Sequence, residues 1–289
     1  MPLIAVTSIK PGEGKTGVAA AIARHYAYLG VPVQLVRAAT GITHAADDAA
    51  LFATFPFAPG SPATPVSVTD IADPGAGSLL VAEIDAAAVP AGAKVVLVAR
   101  GDVPTLPAGL APSAIVVTRV PASAAASLPA AVDGRPVVSV AEDRTLAGFG
   151  VDEAAALLGA ETLVGGEPRR STCDYLVVSP ISADAGQPYF RRFASKAVVV
   201  RFDRTDMHLA ALRGEPECLI LTGGQQPSGY TFDAAEAKGT PVLLSPVDTE
   251  RTVSALEGLF DSPRFRSERK LERMAALLDA TNLFEALAV

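Results

Sequence analysis

The stretch 3-LIAVTSIKPGEGKTGVAAAIARHY-26 decides the fold. An apolar run rich in β-branched residues turns through Gly12 and Gly14 and continues into an alanine-rich segment of helical character. Without side chains, Gly12 and Gly14 let their N–H groups close on phosphate oxygens, and a helix starting near Lys15 adds its positive N-terminal end. Lys15 is placed to reach β- and γ-phosphates and Thr16 to ligate magnesium. Gly14-Lys15-Thr16 between strand and helix is the context a P-loop requires. The expected nucleotide contacts are Gly12, Glu13, Gly14, Lys15, Thr16 and Gly17.

Working outward, short Val/Ile/Leu-rich runs recur at 3–8, 32–37, 78–84, 94–99, 113–118 and 136–141, separated by helix-compatible or loop segments. That alternation predicts an α/β fold with a parallel sheet covered by helices. The rhythm resumes with strands at 174–179, 196–201, 217–222 and 241–246 and helices at 204–213, 231–238 and 248–260. The run 165-GGEPRRS-171 breaks both periodicities and sets a boundary. Two domains follow: 1–168, a P-loop nucleotide-binding domain, and 169–289, a smaller α/β domain with a helical tail. A fragment of residues 170–289 is expected to fold alone. The tail has Phe265, Leu271, Met274, Leu278 and Leu283 at near-helical spacing, which predicts packing on its own domain or on a second copy.

Ile9 stands where the first glycine of GxxxxGK[ST] is expected. Lys10-Pro11-Gly12-Glu13-Gly14-Lys15-Thr16 instead resembles the deviant K-G-G-x-G-K-T loop of the ParA, MinD and dethiobiotin synthetase class, with Pro11 replacing one glycine. The resemblance implies that Lys10 is a signature lysine that reaches phosphate across a dimer interface and acts on the transition state, as an arginine finger does. It also implies ATP and Mg2+ as cofactors and a homodimer.

Further ligands lie at strand ends. Asp47 and Asp48, in 45-AADDAALF-52, can bind magnesium, as an acidic residue in that place does in dethiobiotin synthetases, or can simply favour a helix N-terminus. Glu83 takes the position of a Walker B-like carboxylate, with Asp85 its rival; Thr16, Asp48 and Glu83 form the expected metal set. Arg37 falls where the synthetase has a catalytic lysine in a Lys-Pro pair. An arginine there can clamp phosphate or stand as a solvated surface residue, and the catalytic candidates are Lys10, Lys15 and Arg37.

In the second half, 179-SPISADAGQPYFRR-192, 203-DRTDMHLAAL-212 and 219-LILTGGQQPS-228 together resemble the DRTGG domain, which joins a synthetase-like N-terminal domain to the catalytic domain of long phosphate acetyltransferases. The segment 142-EDRTLAGFGVDEAAALLGAE-161 resembles the joining stretch. The resemblance implies an ATP-binding, weakly ATP-hydrolysing regulatory or sensor protein, with an acetyltransferase or other metabolic enzyme as partner. The rival expectation is an ATP-dependent ligase or carboxylase of the dethiobiotin synthetase class acting on a small carboxylate or carbamate. Asp203, Arg204, Thr205, Asp206, Thr222, Gly223 and Gly224 follow two strands of this half and form a possible second ligand site, since open α/β sheets bind ligands at carboxyl ends. They can equally serve as a helix cap and a tight turn.

The net charge of −7 opposes broad contact with nucleic acid. The apolar runs are strand-length, far below the roughly 20 residues a spanning helix needs, so a cytoplasmic protein without membrane contact is expected. Cys173 and Cys218 lack a CxxC spacing and read as reduced core thiols. His25 and His44 have no metal-like spacing, and His208, on a helix, reads as a packed or surface histidine rather than a ligand.

Overall fold

The strand that feeds the glycine turn, β1 (Leu3–Ser8), is buried at all six positions. An unbroken apolar strand needs cover on both faces and both edges, and β1 has them: β3 (Leu79–Glu83) and β4 (Lys94–Arg100) pair with it in parallel on either side. The computed structural model describes residues 3–39, 44–71, 78–165, 172–180 and 188–288. Its chain divides into two compact units, one formed by Met1–Asp143 with Lys270–Val289, the other by Arg144–Arg269.

Unit 1 carries a seven-stranded sheet of order β2-β3-β1-β4-β5-β7-β6, with β2 at Val33–Arg37, β5 at Ala114–Val120, β6 at Ala131–Val132 and β7 at Arg135–Ala141. All its pairings are parallel except the short antiparallel β6–β7 ribbon. Helix α1 (Lys15–Tyr28) follows β1 and buries Val18, Ala19, Ala20, Ala21, Ile22 and Ala23. Small side chains there let the helix lie close to the sheet. Helix α2 (Ala45–Ala53) follows β2 and buries Ala49 and Phe52.

Unit 2 carries helices α3 (Arg144–Ala147) and α4 (Val151–Leu158) and a five-stranded sheet of order β8-β12-β11-β10-β9. Its strands are β8 (Glu161–Val164), β9 (Tyr175–Val178), β10 (Lys196–Arg201), β11 (Cys218–Thr222) and β12 (Val242–Leu244); β8 alone runs antiparallel. Strand alternation divides the core. Val198, Val200, Leu219 and Leu221 pack with Met207, Ala210 and Ala211 of α5 (Thr205–Arg213) and Ala235 of α6 (Gly229–Lys238). Ala197, Val199, Cys218 and Ile220 pack with Val151 and Ala154 of α4 and Leu256 of α7 (Thr249–Asp261). Cys173 and Cys218 are free and buried in that second layer, where Cys218 and burial push the Cys173 thiol up.

The division differs from the sequence boundary at 168/169. Residues 166–171 lie outside the described residues, but β8 and α4, upstream of them, belong to the second unit. The tail also differs. Helix α8 (Glu268–Asp279) buries Leu271, Met274, Ala275 and Leu278, and α9 (Leu283–Ala286) buries Leu283. From Lys270 onward these residues count with unit 1 rather than with the second domain. There Arg24 forks onto Glu272 at 3.1 and 2.7 Å, Tyr26 donates to the Leu287 carbonyl at 3.0 Å, and Arg273 pairs with Asp143 at 2.7 Å.

A fragment of residues 144–269 should therefore melt cooperatively alone, whereas 170–289 should not. The latter lacks Phe149, Val151, Ala154 and Leu158, one wall of a core layer, together with the β12 partner β8. Urea titration of both fragments, followed by circular dichroism, checks this; cooperative melting of 170–289 would refute it.

Candidate functional site

The loop after β1 is held by short-range bonds between its side chains and its backbone. Ser8 Oγ donates to the Lys10 carbonyl at 2.6 Å, and the Lys10 N–H donates to Glu13 Oε2 at 3.1 Å. Gly12 and Gly14 have φ of 75° and 97°, left-handed conformations that a side chain would strain. Gly14 is the N-cap of α1, which has neither a side-chain cap nor an acidic residue in its first turn. Its first N–H groups and positive dipole end are thus offered to an anion.

Sequence reasoning missed Thr118, near the end of β5. Its buried hydroxyl lies 2.8 Å from the Glu13 carbonyl and 3.1 Å from the Ala99 carbonyl, tying the loop to the neighbouring strands. A Cβ on Gly14 would stand 3.5 Å from that side chain. Thr118→Val keeps the shape and removes the hydroxyl. The expected result is a loss of about 1 kcal/mol in stability, measured by urea unfolding; no change would show that the loop does not need this anchor.

Around the loop the structure gathers Lys15, Arg37, Asp48, Glu83 and Asp85. Lys15 Nζ lies 3.5 Å from Asp85 Oδ1. The β2–β3 register sets Arg37 opposite Glu83, and Arg37 Nε is 3.7 Å from both Glu83 Oε1 and Asp48 Oδ2. Arg37 is 1% exposed and its Nη1 donates to the Ala38 and Glu83 carbonyls at 3.1 and 3.3 Å. The arginine thus faces inward and organises two carboxylates. Arg37 Nε and Glu83 Oε2 are buried without a hydrogen-bond partner.

Burial pushes the Glu83 carboxyl up to about 7. Arg37 opposes that shift, Asp48 adds to it, and Lys15 and a Thr16 hydrogen bond oppose it. Asp85 and Glu83 divide their work: one meets Lys15, the other Thr16 and Arg37. Lys10 takes part in the loop through its backbone carbonyl and N–H, and Asp47 lies 3.5 Å from His44 at the start of α2.

In unit 2, the seven expected ligand residues separate. Arg204 grips Asp206 with Nε and Nη2 at 3.1 and 2.9 Å, holding that carboxyl below its ordinary range. Thr205 and Ser228 share a hydrogen bond of 3.0 Å, and Thr222 and Thr249 one of 2.7 Å. Gly223 and Gly224 have positive φ, and a Cβ would meet Phe202 at 2.9 Å and the Pro246 carbonyl at 3.1 Å respectively. Close packing in a turn accounts for both glycines. Asp203 and Arg204 line a cavity of about 220 Å³ that also touches Ser179, Arg201 and Thr249. His208 is fully buried: its Nε2–H donates to the Arg201 carbonyl and its Nδ1 accepts from Thr231, each at 2.9 Å, and burial lowers its pKa.

A family model for the DRTGG domain matches residues 153–259. This chain contains a DRTGG domain. The matched range begins inside α4, in keeping with the position of β8 in that sheet. Among solved structures, the chain is similar to the CBS and DRTGG domains of the regulatory region of Clostridium perfringens pyrophosphatase, a structure complexed with the activator diadenosine tetraphosphate. Identity is 19% and the TM-score 0.35, over 44% of this chain and 56% of that one. Within the described residues no helix is long and apolar enough to cross a membrane, and no group of three or more His, Cys, Asp or Glu is arranged to hold a metal ion.

Proposed function

We propose that the chain is a nucleotide-responsive regulatory protein, in which the loop Lys10–Gly17 binds ATP and the DRTGG domain is the regulatory module. One observation carries the reading: the start of α1, with no side-chain cap, presents its first N–H groups beside a buried Lys15, which is 6% exposed and faces a carboxylate. A buried ammonium and an uncapped helix start both favour an anion of high charge.

Magnesium entering with the nucleotide fits the donor set. The Thr16 hydroxyl would be its ligand, beside the Glu83 carboxylate with its unpartnered oxygen, and Asp48 would act through water. The ion would neutralise phosphate charge. Lys15 would leave Asp85 for the β- and γ-phosphates, and Asp85 would then face solvent. Arg37 would hold Glu83 and Asp48 in place from behind. That inward role supports the regulatory reading over the ligase of the dethiobiotin synthetase class, which would need Arg37 to turn into the site. Calorimetry of the whole chain with ATP and magnesium tests the proposal: one mole bound per mole at the loop is expected, and no heat with ATP or ADP would overturn it.

Lys10 is proposed to act from a second copy of the chain on the transition state. Lys10→Ala should then lower the hydrolysis rate about tenfold while changing nucleotide affinity less than about twofold. Phosphate release and calorimetry read the two quantities; equal losses would make Lys10 an ordinary local contact. The kinship with the front part of long phosphate acetyltransferases, and an acetyltransferase or other metabolic enzyme as partner, belong to the same proposal.

A further inference from the structure

We propose that the DRTGG domain has a second nucleotide site, for a mononucleotide, in the cavity at the carboxyl ends of β9 and β10. The inference stands on unit 2 alone and does not depend on the P-loop reading. Strand register builds the cavity. Val178 of β9 pairs with Val199 of β10, and two residues on Arg201 continues the same face, in register with Thr222. Thr222 in turn holds Thr249, the first residue of α7, at 2.7 Å. Among the described residues β9 is the edge strand of this sheet, and a cavity of about 220 Å³ lies against its end, lined by Val178, Ser179 and Pro180 together with Arg201, Asp203 and Thr249.

Its chemistry is of three kinds. Val178 and Pro180 give an apolar wall, backed by the buried Val199; Arg201 and Asp203 bring opposite charges; Ser179 and Thr249 bring hydroxyls. The volume is below the roughly 300–1,000 Å³ of drug-sized sites, so one base with its sugar fits and a dinucleotide does not. Arg201 Nη2 now holds Asp203 Oδ2 at 2.7 Å, with side-chain exposures of 64% and 39%. An exposed pair between near neighbours in sequence contributes little, so a phosphate can displace the carboxylate from the guanidinium fork at small cost. The freed Asp203 carboxylate would then accept from ribose hydroxyls. The apolar wall takes the base, Asp203 the sugar and Arg201 the phosphate.

The test uses the full chain carrying Lys15→Ala, which weakens the loop in unit 1, titrated by calorimetry with AMP, GMP and inorganic phosphate. A nucleotide binding one to one, well ahead of inorganic phosphate, is expected. Adding Arg201→Glu should weaken it at least about tenfold with unchanged circular dichroism, and Asp203→Asn should weaken the nucleotide while sparing phosphate. Should Arg201→Glu misfold, Arg201→Gln reads the same contact. Neither nucleotide binding to the Lys15→Ala chain overturns the proposal, as does affinity indifferent to both Arg201 and Asp203. Phosphate binding as tightly as nucleotide would also overturn it, leaving a bare anion site. The P-loop reading fails on a different result, an ATP affinity that Lys15→Ala leaves unchanged.

Discussion

Lys15→Ala is expected to weaken Mg·ATP binding roughly ten- to a hundredfold, because a lost charge-assisted contact to phosphate is worth about 1.5–3 kcal/mol. The cost should fall on binding rather than on folding. In the free protein Lys15 meets Asp85, which is 34% exposed, so removing the ammonium leaves a carboxylate that water can solvate. Calorimetry with ATP and magnesium, beside a urea melt of the same variant, separates the two quantities. Unchanged affinity would sink the assignment of the loop; a large loss of stability with it would mean that Lys15 serves the core.

The second large effect concerns stability against pH, in the absence of nucleotide. Burial holds the Glu83 carboxyl at about 7 in the folded chain against an ordinary 4.5. Between those values the folded state keeps a proton that the unfolded state has released, so stability falls as pH rises and levels off above the folded value. The span corresponds to about 3 kcal/mol. Glu83→Gln should abolish this fall, so the variant gains on the natural chain from pH 5 to pH 8. His208 acts in the opposite sense, since its lowered pKa makes stability rise with pH through the ordinary histidine range. The difference between the Glu83→Gln and natural profiles cancels that contribution. A flat difference would show that Arg37 keeps Glu83 ionised throughout.

Much of the fold was legible because its signals are local. The apolar runs at 3–8 and 196–201 coincide with β1 and β10, and most other strands fall within a residue or two of their runs. The glycine turn, Lys15 and Thr16 were readable for the same reason: strand, turn and helix follow one another directly, from Leu3 to Tyr28. What the sequence hid depends on partners distant in the chain. Glu161–Val164 is too short and polar to announce a strand, and it becomes one by pairing antiparallel with β12. The amphipathic tail showed a buried face but not which core it enters. Arg37 looked like a phosphate clamp because its inward turn follows from the β2–β3 register, and Thr118 carried no motif at all. In the second unit the Asp203–Asp206 segment drew attention by its charges, while Arg201 and Thr249 enter the same cavity through register and helix placement. Part of the 179–192 segment lies outside the described residues.

The return of Lys270–Val289 to unit 1 bears on the order of synthesis. Domains usually fold as units while the chain emerges, the earlier one first. Here the earlier one lacks Leu271, Met274, Ala275, Leu278, Leu283 and Leu287, all nearly or fully buried, until the ribosome has made the whole of the other. The DRTGG domain is thus complete on a nascent chain whose first unit still exposes apolar surface. Chains held on the ribosome by an unrelated spacer after Arg269, long enough to carry that residue clear of the exit tunnel, should show a protease-resistant middle and a protease-sensitive beginning, the reverse of the usual order.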